Sequence, residues 1–145
     1  MHYEGTFQLK APIDKVWSFL TIPENIAKCI PDLQKFEVLG EDKFRAQVKV
    51  GIGFIKGSMT FDFAMTEKDA PKYAKLVGHG SGTGSTVDLE TAMNLESTPD
   101  GGTNLAWKAD AKIGGLLAGV GQRLIGGAAE KVITKLFDGI KKAIE

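Results

Sequence analysis

Alternation is the feature that most constrains this chain. Between residues 44 and 113, apolar side chains recur at every second position. Phe44, Ala46, Val48 and Val50 make one set, and Met59, Phe61, Phe63 and Met65 a second. Val87, Leu89, Met93 and Leu95 make a third, and Leu105, Trp107, Ala109, Ala111 and Ile113 a fourth. Lys43, Arg45, Gln47, Lys49, Asp62, Asp88, Glu90, Lys108 and Asp110 fall between them. A period of two puts the first kind on one face of a sheet and the second in water. The predicted inner face carries no acid, base or nucleophile, and Thr91 is its one clearly polar residue. Such a face can receive an apolar guest but has little with which to make or break bonds.

A chain of 145 residues reads as one domain, 1–145, large enough for a real core. Its 18 basic and 18 acidic residues are interspersed and cancel. Nucleic acid is therefore not an expected partner, because its binding calls for a basic face. The balance also removes bulk attraction to anionic membranes, leaving only local patches. Cys29 is the single cysteine, so no internal disulfide forms, which fits a reducing compartment. The opening Met-His-Tyr-Glu-Gly-Thr has no basic segment followed by an apolar run, and a secretory leader is not expected. No stretch reaches the roughly 20 apolar residues of a spanning helix. The expected location is cytoplasmic.

Tyr3, Gly5, Phe7 and Leu9 suggest a first strand. The period then changes. Pro12 suits the start of a helix carrying Ile13, Val16, Trp17 and Leu20, and Pro23 starts a second with Ile26, Ala27 and Ile30. Strands are predicted at 36–39, 44–50, 58–67, 73–80, 86–97 and 103–113. The segment 51–57 reads as a glycine-spaced connection or bulge, and Gly80, Gly82 and Gly84 as a hairpin or bulge. Pro99-Asp100-Gly101-Gly102 is a strong turn. From about 116 to 144 the period is helical, with Leu117, Val120, Leu124, Ala128, Val132, Leu136 and Ile140 near one side. The expected architecture is α+β: a curved antiparallel sheet wrapped around a long C-terminal helix, with two short helices after the first strand.

That element order is the helix-grip fold of START lipid-transfer domains, plant pollen allergens and bacterial cyclases (the SRPBCC superfamily). Gly5-Thr6-Phe7 followed by Ala11-Pro12-Ile13-Asp14-Lys15-Val16-Trp17 looks like the superfamily's opening. Ala27-Lys28-Cys29-Ile30-Pro31, Ala111-Lys112-Ile113-Gly114-Gly115-Leu116-Leu117-Ala118 and Gly121-Gln122-Arg123-Leu124-Ile125 resemble the CoxG-like family, named for the CoxG subunit of carbon monoxide dehydrogenase. The resemblance covers essentially the whole chain. Two departures stand out. Asp32 occupies a position that the family commonly gives to glycine, so that turn is expected to differ. Many members also carry a C-terminal extension linked with membrane attachment. The resemblance implies a non-catalytic accessory protein with no tightly bound cofactor. It would bind a quinone or other lipid-like molecule in a cavity between sheet and helix. Its implied partners are molybdenum-type dehydrogenase subunits, with peripheral contact at the inner membrane face.

The residues expected to line that cavity are Phe44, Val48, Met59, Phe61, Phe63, Met65, Leu89, Thr91, Met93, Leu105, Trp107 and Ala109 from the sheet, with Gly119, Val120 and Leu124 from the helix. The methionines suit irregular apolar guests and are equally ordinary core fillers. Trp107 is read as core or as a surface for a flat ring. The glycine density at the start of the helix (Gly114, Gly115, Gly119, Gly121, Gly126, Gly127) has two readings, because each interior helical glycine costs roughly 1 kcal/mol against alanine. It leaves room for a ligand, or it permits close helix–sheet packing and makes 114–119 a loop. Phe54, Ile55, Leu116 and Leu117 either form an exposed membrane-facing gate or fold inward as a plug.

The chemical motifs are weak. Gly78-His79-Gly80-Ser81-Gly82-Thr83-Gly84 has no lysine and precedes a strand, unlike a phosphate loop. His79 would need a carboxylate and a substrate to act as a base and reads as a surface residue. His2, His79 and Cys29 lack metal-ligand spacing. Cys29 reads as a small buried hydrophobe. A carrier of an apolar ligand is the leading function. The alternatives are a cyclase or hydrolase on the same fold, which needs converging ionisable groups such as Arg123 inside, and a purely protein-recruiting module.

Overall fold

Alternating runs joined by short turns pair with their neighbours head to tail, and this chain does so from residue 33 to residue 115. The computed structural model describes all 145 residues. Strands β1 (His2–Leu9), β2 (Leu33–Gly40), β3 (Lys43–Ile52), β4 (Ile55–Asp69), β5 (Tyr73–Gly82), β6 (Ser85–Ser97) and β7 (Thr103–Gly115) form one seven-stranded antiparallel sheet in the order β1-β7-β6-β5-β4-β3-β2. Only β1 leaves chain order. It crosses to β7, placing Gly5 opposite Trp107 and Phe7 opposite Leu105. Helices α1 (Ile13–Leu20) and α2 (Pro23–Ala27) follow β1, and α3 (Gln122–Ile144) closes the chain.

Three sequence expectations need correction. Residues 51–57 are not a connection: the strands run on until Ile52 pairs with Ile55, leaving Gly53-Phe54 as the whole turn. Gly80 is not in a hairpin turn either. It lies inside β5, and the turn is Thr83-Gly84, both left-handed at φ 54° and 70°, as a two-residue hairpin matching the strand twist requires. The long helix begins at Gln122 rather than near 116. Gly114 and Gly115 finish β7, and Leu116–Gly119 make one tight 3-10 turn. Asp32, after the second helix, has a left-handed backbone at φ 59°. Aspartate is among the few residues that adopt it at modest cost.

The main core sits at one end of the molecule. Val16 and Leu20 of α1 pack with Leu9, Leu95, Leu105 and the C-terminal stretch of α3, where Phe137, Ile140 and Ile144 are buried. Phe7 stacks on Phe137 with ring centroids 3.9 Å apart. Thr103, also buried, donates its hydroxyl proton to the Ala11 carbonyl at 2.8 Å and ties β7 to the approach to α1. At the opposite end Ile55, Met59, Leu117 and Ile125 are buried. The Leu117 amide donates to Ser85 Oγ at 2.9 Å, which seats the 3-10 turn on β6. Between the two ends, most inner-face side chains are only half-buried. The accessible surface is 8299 Å² for 15.6 kDa, whereas a compact monomer of that mass exposes roughly 7,200 Å². The excess matches an inner face left partly open.

Candidate functional site

The open middle is built by glycines in the sheet. Gly78 and Gly80 of β5 stand in register with Phe63 and Phe61 of β4. A Cβ on Gly78 would come within 2.5 Å of the Phe63 ring, and one on Gly80 would strike the Phe61 ring. The two rings therefore lie over bare backbone instead of standing up towards the helix. Gly5 and Trp107 repeat the arrangement, with the indole 3.1 Å from where a Gly5 Cβ would be. A glycine on a pleated face normally weakens it, and an aromatic across the strand gap restores the contact. Lowering the rings also makes a smooth aromatic floor. Phe36, Phe44, Phe63 and Phe61 follow one another with centroids 5.5, 5.0 and 5.7 Å apart.

The helix does not close over this floor. Gly126 lies seven residues before Ile133 and fourteen before buried Ile140, so it faces inward, yet a Cβ there would meet nothing. Gly127 is exposed, and its open side is solvent. Close packing explains only Gly139, whose Cβ would lie 3.2 Å from that of Cys29. Of the two readings of the glycine-rich helix, room belongs to Gly126 and contact to Gly139. Gly119 and Gly121 precede the helix and also face open space.

A cavity of about 150 Å³ lies where the trough meets the main core. Phe44, Met65, Thr91, Met93, Leu105 and Trp107 line it, all of them expected from the alternation. Val48, Phe61, Phe63, Leu89 and Ala109 lie half-buried on the same sheet face, outside that pocket. Met59 is on the correct face but is 2% exposed and packed into the plug. Gly119, Val120 and Leu124 do not line the cavity. Because the helix starts later, Val120 and Leu124 come instead against Gly53 at the β3–β4 turn, at 3.2 and 3.5 Å from its Cβ position. The four gate candidates divide. Phe54 and Leu116 are 66% and 56% exposed, while Ile55 and Leu117 are buried as the plug.

Several lining residues lie outside the sequence-based expectation. Ala74 and Leu76 of β5 share the alternation and are detectable from it; Leu20, Ile26, Leu136 and Phe137 come from helices whose angle against the sheet no periodicity specifies. Asp42, on the β2–β3 turn at φ 59°, reaches the rim, so the site has one ionisable neighbour after all. Its carboxylate is held by Lys68 Nζ at 2.8 Å. Thr21 donates its hydroxyl proton to the Trp17 carbonyl at 2.8 Å. The Trp107 indole N–H is buried with no partner. Cys29 is buried beside α3, and burial pushes its thiol pKa up, as for an inert core residue.

Charge collects on the other face. Arg45 donates to Asp62 from Nε at 2.6 Å and from a terminal nitrogen at 3.1 Å, which holds the carboxyl below the ordinary carboxylate range. His79 faces outward, exposed, with Nδ1 2.6 Å from Asp88. It has the carboxylate a base needs, but it is on the face away from the cavity, and no hydrogen bond joins it to Ser81. Arg123 is exposed before the helix has turned inward. No three His, Cys, Asp or Glu side chains are grouped to hold a metal.

Comparison with known proteins agrees with this geometry. The family model for the CoxG subunit of carbon monoxide dehydrogenase matches residues 5–145. The chain belongs to the CoxG family. A crystal structure of a conserved protein from Geobacillus kaustophilus is 33% identical and superposes with a TM-score of 0.91 over 99% of this chain and 95% of that one. A START superfamily protein from Mycobacterium smegmatis shares the fold at 14% identity, TM-score 0.74, over 99% and 96% of the two chains. The Zhui aromatase/cyclase from Streptomyces sp. R1128 shares it at 14% identity, TM-score 0.73, over 99% and 93%. No curated protein matches the chain in sequence. The CoxG family and the START-like fold suggest a hydrophobic-ligand-binding role. No helix is long and apolar enough to cross a membrane.

Proposed function

We propose that this CoxG-family protein is a non-catalytic carrier. It would bind a quinone or similar lipid-like molecule in the trough between sheet and helix and link a carbon monoxide dehydrogenase-type oxidoreductase to the membrane. The observation that carries the reading is the gap at Gly126 above an aromatic floor, because a helix this amphipathic would otherwise close on the sheet. Affinity would come from removing apolar surface from water, at about 25 cal/mol per Å². The 150 Å³ cavity is of the size that admits a single small ring, and the half-open floor beyond it would take a chain. Phe54 and Leu116 project at the end where such a chain would emerge and would touch the bilayer.

An enzyme of the cyclase or hydrolase type would need ionisable groups converging on the guest. Asp42 is a single carboxylate at the rim, already paired with Lys68. Identification of apolar molecules that copurify with the protein from its native cells, followed by titration of the delipidated protein with a short-chain quinone, tests the carrier reading. A bound isoprenoid or quinone and saturable binding are expected. A protein that copurifies with nothing apolar and ignores added quinone overturns it.

A further inference from the structure

The chain is neutral overall, yet its acidic residues avoid one end of the molecule. No Asp or Glu occurs at 43–61, 70–87 or 111–129. Those stretches supply the β3–β4 turn at Gly53-Phe54, the β5–β6 turn at Thr83-Gly84, and the passage from β7 through the 3-10 turn into α3. The fold brings the three together. A Cβ on Gly53 would lie 3.2 Å from Val120 and 3.5 Å from Leu124, and one on Gly57 would lie 2.8 Å from Thr83. The Leu116 amide donates to the Gly84 carbonyl at 3.0 Å.

Apolar and basic side chains share this tip. Phe54, Leu116 and Leu124 are 66%, 56% and 54% exposed, more than any other large apolar residue of the chain. Apolar surface gathered in one exposed place marks a contact site. Lys56 stands two residues after Phe54, and Arg123 directly before Leu124. Both are exposed, and neither takes part in an ion pair. Carboxylates return farther up the strands, where the Asp32 carbonyl accepts from the Lys49 amide and Asp88 stands opposite Lys112.

We propose that this tip docks on an anionic lipid surface. Phe54, Leu116 and Leu124 enter the boundary between headgroups and acyl chains, and Lys56 and Arg123 sit at the level of the lipid phosphates. The proposal rests on the membrane link in the function above and deepens it by naming the lipid charge. Apolar insertion alone serves any bilayer, whereas each basic residue near a negative surface adds about a fivefold gain in binding. A carboxylate here would be repelled by that surface, and the three segments contain none. Lipid fits better than an acidic protein. Lysine is depleted at protein interfaces, and cations held by nothing in the protein suit mobile phosphates better than fixed carboxylates.

Flotation of the full chain with vesicles tests the proposal, using phosphatidylcholine alone and phosphatidylcholine mixed with phosphatidylglycerol. The wild type should float with the anionic vesicles, stay largely behind with the neutral ones, and detach as salt is raised. Lys56→Gln with Arg123→Gln should lower the partition coefficient on anionic vesicles by about fivefold per charge. Phe54→Ser with Leu116→Ser should weaken it as well, because two large side chains no longer leave water. Equal flotation with both vesicles, or none with either, overturns the proposal. So does full retention of binding by either double variant. Capture by polyglutamate beads but by neither vesicle assigns the tip to an acidic protein and overturns it too. The carrier reading is judged apart from all of these, by the quinone titration, which contains no vesicles.

Discussion

The two halves of α3 carry the same kind of apolar stripe and treat it differently. In the C-terminal half, Phe137, Ile140 and Ile144 are buried and Gly139 brings the helix to within contact of Cys29. In the N-terminal half, Ile125 is buried in the plug, while Gly126, on the side of the helix shared by Ile133 and Ile140, has no neighbour within reach of a Cβ. One half anchors the helix along its stripe; the other touches down at Ile125 and leaves open space at Gly126. The contrast shows that a stripe of hydrophobic residues specifies which side of a helix faces inward, and leaves open how close it comes.

The largest effect should fall in the anchored half. Ile140→Ala, at a site 2% exposed, should cost about 2–5 kcal/mol by denaturant unfolding. Val132→Ala, on the same helix but 49% exposed, should stay within about 0.5 kcal/mol. Similar costs at the two positions would break the comparison. Gly78→Ala comes next. Its Cβ must lift the Phe63 ring, at about 1–3 kcal/mol, and adding Phe63→Leu should recover much of the loss.

Gly126→Ala should have the opposite sign. It adds a methyl where nothing stands and should stabilise by up to about 1 kcal/mol, whereas a closed helix–sheet contact there would make it destabilising. Gly126→Leu sharpens the point, since it should keep the fold and abolish quinone binding in the same titration. The smallest effect lies at the edge of the sheet. His2 on β1 hydrogen-bonds Asp110 on β7 and, more weakly, Glu4, and both raise its pKa above 6.5. The stabilisation is full below the unfolded pKa and is lost as pH rises through the higher folded value. His2→Asn should therefore narrow the gap between Tm values at pH 5.5 and pH 8. An unaltered difference would show that the pair contributes nothing.

Much of the sheet is legible in the sequence. Phe44 through Ile113 alternate so regularly that the inner-face assignments agree with the observed cross-strand register. The turns are less so. Gly80 reads as a turn residue because glycine is common there, but in β5 its lack of a side chain serves Phe61. The matching phenylalanine lies on a different strand, and only register pairs them. Helix onset is misread for a related reason: Gly119 and Gly121 interrupt the start, and the 3-10 turn is fixed by Ser85, a partner more than thirty positions earlier. Asp42 reaches the cavity rim from a turn, outside any periodic pattern.

Order of elements, strand faces and the shortage of ionisable groups inside are settled along the chain, because side-chain direction follows from backbone period over neighbouring residues. The gap above the Phe61–Phe63 floor, the orphan indole of Trp107 and the division of Phe54 and Leu116 from Ile55 and Leu117 are settled across it. Each depends on the separation and register of segments far apart in sequence, and an empty space belongs to no single residue.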